Sequence, residues 1–93
     1  MARTLDEYRR KLIDKILLAA SPEDALRFSE TAIRSLNEHK VHGYIITRFI
    51  DKTLLNLEEV SALRIGERES QNIKMAIDHF IRVRKKFQNS TVS

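Results

Sequence analysis

One proline, Pro22, and two isolated glycines, Gly43 and Gly66, are the only strong backbone breakers in the chain. An all-β fold needs a turn roughly every 8–12 residues, and turns draw heavily on Gly and Pro. Three breakers cannot punctuate a set of short strands, whereas they suffice for a few long helices. The 93 residues allow a single domain. Apolar residues at 42% and charged residues at 32% form a globular balance, not a disordered one.

Hydrophobic periodicity supplies the helices. Thr4 and Glu7 form a capping-box pair, after which Leu5, Tyr8, Leu12, Ile16 and Ala19 recur at spacings of three and four. Ser21-Pro22 ends that helix and starts the next, because the residue before proline is pushed out of the helical region and Ser is a good N-cap. The second helix carries Ala25, Ser29, Ala32 and Leu36 on one line, flanked by Leu26, Phe28 and Ile33. The segment from Glu38 to Gly43 has no apolar period and reads as a turn, although a helix continuing through Gly43 costs only about 1 kcal/mol. The third stripe is Ile46, Phe49, Ile50, Thr53, Leu57 and Val60, with Gly66 as its C-terminal stop. The fourth is Ile73, Ala76, Ile77, Phe80, Val83 and Phe87.

These patterns predict an all-α fold, a small up-and-down bundle of four amphipathic helices with short loops. The helices span about 4–20, 22–37, 42–64 and 67–88, two shorter and two longer, and 89–93 is a frayed tail. Two long helices are incompletely covered by two short ones. Leu18, Tyr44, Leu55 and Met75 also lie off the main stripes, so self-association as a homodimer is expected.

Several chemistries are excluded or left without support. The absence of cysteine removes disulfides, thiolate metal sites and thiol nucleophiles. No Gly-rich phosphate loop, nucleophile elbow or zinc-protease motif occurs. The longest apolar run, residues 16–20, falls far short of the roughly 18–20 residues of a membrane span. Asp6, Glu7 and Asp14 interrupt any secretory or transit signal, so no membrane association is expected and the cytoplasm is the expected compartment.

The net charge of +4 is local. Basic and acidic residues balance through residue 81, and the whole excess is Arg82, Arg84, Lys85 and Lys86. Such a cluster suits phosphate or an acidic protein, but cations in the last turns of a helix also complement its dipole. Arg84 falls within the apolar stripe of the fourth helix, where its stem packs and its head needs a carboxylate from another helix or a second chain. His39 and His42, three apart beside Glu38, straddle a turn and lack further ligands, so no metal or cofactor is expected.

The helical chorismate mutases are similar in length and helix content, but the likeness stops there. Those enzymes line a buried pocket with several basic groups, and here only Arg9 and Arg84 offer themselves for one. Arg10 and Lys11 sit on the polar side, suited to Asp6–Arg10 and Glu7–Lys11 pairs. The leading expectation is therefore a non-enzymatic helical protein–protein interaction or regulatory module, with Tyr44, Leu55 and Arg84 at its interface and Arg82, Lys85 and Lys86 at the rim. A nucleic-acid-binding accessory protein using the basic helix end is the alternative, and a small enzyme with an Arg-lined pocket the third.

Overall fold

A computed structural model describes residues 4–63 and 65–92, with side chains through residue 86. It contains four helices: α1 (Leu5–Leu18), α2 (Pro22–Glu38), α3 (Gly43–Ser61) and α4 (Glu67–Val92). Among the described residues there is no strand, and the chain forms the small helical bundle that its periodicity predicts.

Local chemistry sets the ends. Thr4 Oγ1 accepts from the Glu7 amide at 3.1 Å, and Ser21 Oγ accepts from the Asp24 amide at 3.2 Å. Pro22 is the first residue of α2, where its missing N–H would have no helical partner. α2 closes with a Schellman motif. The Val41 amide bonds the Leu36 carbonyl and the Lys40 amide the Asn37 carbonyl, both at 3.0 Å, while Val41 folds back against the core. This motif needs a left-handed residue, and that residue is Lys40, with φ 56°. α2 and α3 are therefore separate helices, and Gly43 simply begins α3.

Some boundaries differ from the sequence reading. α1 stops at Leu18, two residues early, because Ala19 already turns into extended backbone ahead of Ser21-Pro22. α3 ends at Ser61, so Gly66 does not stop it; Gly66 instead leads into α4, with its carbonyl accepting from the Ser70 amide. α4 continues past residue 88 to Val92, since no breaker interrupts 89–92.

The stripes meet as expected. Leu12, Ile16, Ala25, Ile46, Phe49, Ile50, Leu57, Ile73, Ala76 and Phe80 are all buried. Tyr8, Val60, Ile77 and Val83 close the periphery of the core, and Phe87 falls among the side chains outside the described set. Helix direction alternates, but spatial order does not follow chain order. α4 packs against all three other helices, most extensively against α2, while α2 and α3 form no packed pair despite their short link. The buried line of α2 is mostly small (Ala25, Ser29, Ala32), which lets its neighbours approach closely.

Among the described residues, three polar ones lie fully buried. Ser29 and Thr53 donate to carbonyls one turn back, at 2.9 and 2.7 Å. Asn72 instead ties two helices together: its Nδ2 donates to the Ala19 carbonyl at 2.9 Å, at the end of α1. That carbonyl is one of those a helix terminus leaves unpaired.

Replacing Lys40 with Gly is expected to stabilise the fold by about 0.5–1 kcal/mol, since Gly takes the left-handed region without the Cβ penalty. Asn72→Ala is expected to destabilise it by about 1–3 kcal/mol through the stranded Ala19 carbonyl. Denaturant unfolding of the two variants checks both.

Candidate interaction surface

α3 is covered by α4 on one side and, less extensively, by α1 on the other. Its remaining arc faces outward and carries Tyr44, Arg48, Asp51, Lys52, Leu55, Glu58 and Glu59, all exposed. The apolar members stand well clear of the surface: Tyr44 is 64% exposed and Leu55 57%. Leu63, just beyond the helix end, is 64% exposed.

Beside this arc, α1 and α3 leave a cleft of about 260 Å³ lined by Leu5, Asp6, Arg9, Tyr44, Ile45, Arg48, Phe49 and Lys52. Its lining combines apolar side chains with three cations and one carboxylate. Arg9 is held in place, donating from Nε to Asn56 Oδ1 at 2.8 Å and from Nη1 to Asp6 Oδ1 at 2.9 Å. Asp6 therefore pairs with Arg9, one turn on, and not with Arg10. The Arg48 guanidinium lies 5.9 Å from the Tyr44 ring centroid, within cation–π range. Lys52 has no hydrogen-bond or ion-pair partner among the described residues.

Arg84 meets the carboxylate its position calls for. Its Nε lies 2.6 Å from Asp51 Oδ1 across the α3–α4 seam. The contact is an ion pair without directed hydrogen-bond geometry, and both side chains are nearly half exposed, so it contributes at most about 1 kcal/mol. Its effect is positional: it fixes a charged seam between α3 and α4 next to Leu55. Arg84 is not among the residues lining the α1–α3 cleft, so Arg9 and Arg84 do not converge there. Arg82, Lys85 and Lys86 are exposed along the outer side of α4, apart from the α3 arc.

The turn histidines do structural work. His42 is the N-cap of α3, its Nδ1 accepting from the Tyr44 amide at 3.2 Å, and His39 Nδ1 lies 2.7 Å from the Ser35 carbonyl. Among the described residues no group of three or more His, Asp or Glu is placed to hold a metal ion. No helix among them is long and apolar enough to cross a membrane.

Sequence reasoning singled out Tyr44, Leu55 and Arg84 as interface candidates; it assigned Leu5 and Ile45, which with Tyr44 are the exposed apolar members of the cleft, to core faces. Leu5 counts toward the core by period, yet it lies in the first turn, at the cleft and not in the core, and stays 38% exposed. Ile45 borders the α3 stripe, a position that periodicity alone leaves ambiguous. Asn72 was also missed, although it stands four residues before Ala76 and eight before Phe80 on the core line of α4.

No family model, no characterised protein and no solved structure matches this chain.

On the opposite side, α2 and α4 enclose a groove containing Glu30, Arg34, Glu38 and His79. Burial pushes the His79 pKa below 6.5; Arg82 and Lys86 push the same way, and Glu30 opposes them. The folded state thus favours neutral imidazole. Its contribution is complete above pH about 6.5 and is lost as pH falls through that value toward the lower folded pKa. Stability measured by urea unfolding is expected to decline on acidification from pH 7 into this range, with a shallower decline in His79→Gln.

Proposed function

We propose that this protein is a helical protein–protein interaction module that works through the outer arc of α3 as a homodimer. The observation that carries this reading is the arc itself. Tyr44 and Leu55 on α3, and Leu63 just beyond it, expose large apolar surface among charges that are mostly without a partner among the described residues. A domain of this size buries a smaller share of its surface than a larger one does, and a second copy extends the core. In such a contact the apolar side chains supply the affinity, while the charged rim sets orientation and association rate. The basic end of α4 offers a weaker case for nucleic acid, because Arg84 is engaged with Asp51.

Sedimentation equilibrium over micromolar to millimolar protein is expected to show a reversible dimer. Leu55→Asp is expected to shift it to monomer with unchanged far-UV circular dichroism, since a substitution at so exposed a site changes folding stability by only about 0.5 kcal/mol. A wild-type protein that stays monomeric across the range refutes the reading.

A further inference from the structure

The charges on α3 run against its own dipole. A helix favours acids near its N-terminus and bases near its C-terminus. The first turn of α3 contains no acid and its last turn no base. Arg48 and Lys52 instead lie in the second and third turns, and Glu58 and Glu59 stand in the last turn, where the dipole disfavours them. Nothing within the described part of the chain relieves this: Lys52, Glu58 and Glu59 have no side-chain ion pair or hydrogen bond there. Asp51, the exception to the pattern, is matched by Arg84.

We propose that α3 packs antiparallel against α3 of a second copy, with Leu55 on the two-fold axis and Lys52 of each chain paired with Glu59 of the other. This rests on the homodimer reading and specifies its geometry. At ~100° per residue, Leu55 points directly away from the buried line of Ile46, Ile50, Thr53 and Leu57, so it is the outermost apolar point of the helix. An isologous contact about a two-fold axis makes that point meet itself. Residues three and four before Leu55 then oppose residues three and four after it in the second copy. Lys52 thus comes to Glu58 and Glu59, and by symmetry the contact forms twice. Asp51 approaches the same glutamates, but Arg84 beside it neutralises its charge. Lys52 of each helix covers the acidic end of the other, and the two dipoles oppose favourably.

Charge exchange tests the register. Lys52→Glu and Glu59→Lys are each expected to weaken dimerisation by about tenfold or more, and the double variant to recover to within about threefold of wild type. Sedimentation equilibrium at low salt reads all three, with circular dichroism confirming the fold. A wild-type dimer unaffected by either single substitution overturns this register and leaves the homodimer standing, as does a double variant that fails to recover. A monomeric wild type overturns both.

Discussion

The burial of α4 against all three other helices is the contact on which the rest of the architecture depends. Ile73, Ala76 and Phe80 lie at zero exposure along its length. Near its start, Asn72 reaches the end of α1; toward its other end, Arg84 reaches Asp51 on α3. Because α4 packs so extensively on α2, the two consecutive helices α2 and α3 are held apart, and α3 becomes the least covered member of the bundle. Its exposed arc is thus a consequence of helix order, not of a weak apolar stripe.

The core polar residues follow the same logic. Ser29 and Thr53 satisfy themselves on their own helices, so they cost little and keep helix surfaces small where neighbours approach. Asn72 satisfies another helix. Its Nδ2 occupies the Ala19 carbonyl, while its Oδ1 is buried without a partner among the described residues. A buried amide half-used in this way is tolerable only where the half in use matters. Here it joins the start of α4 to the Ala19-Ser21 turn, which Pro22 has already made stiff.

Helix number, the four stripes and the position of the sharpest turn were legible because each rests on period or on a single strong breaker. The need of Arg84 for a carboxylate was also legible, from a charge placed on an apolar stripe. The identity of that carboxylate was not: Asp51 sits on the polar side of α3, and only the antiparallel α3–α4 seam brings it to Arg84. The end of α2 misled for a related reason. Gly43 drew attention as the flexible point, yet the left-handed residue is Lys40, three positions earlier, and propensity gives no warning of a lysine there. The cleft beside α3 was illegible because it lies between two helices distant in sequence, and periodicity does not say which helices pack together.

For the proposed homodimer, charge favours one direction of pairing on α3. A parallel copy in register would set Arg48, Lys52 and Glu59 each against itself, adding repulsion between helices to the unfavourable dipole placement within each. An antiparallel copy replaces the Lys52 and Glu59 self-contacts with an attraction between them and takes Arg48 away from its own copy. The exposed apolar groups agree. Tyr44 lies at one end of α3 and Leu63 just beyond the other, with Leu55 between them, so a single partner helix covers the whole row only if it runs the length of α3. In the proposed dimer the Arg84–Asp51 pair would have a role that its small intrachain energy does not account for, since without it Asp51 would be the one like charge facing Glu58 and Glu59 of the second copy. A surface ion pair of negligible worth to the monomer would thus set which orientation the dimer can take.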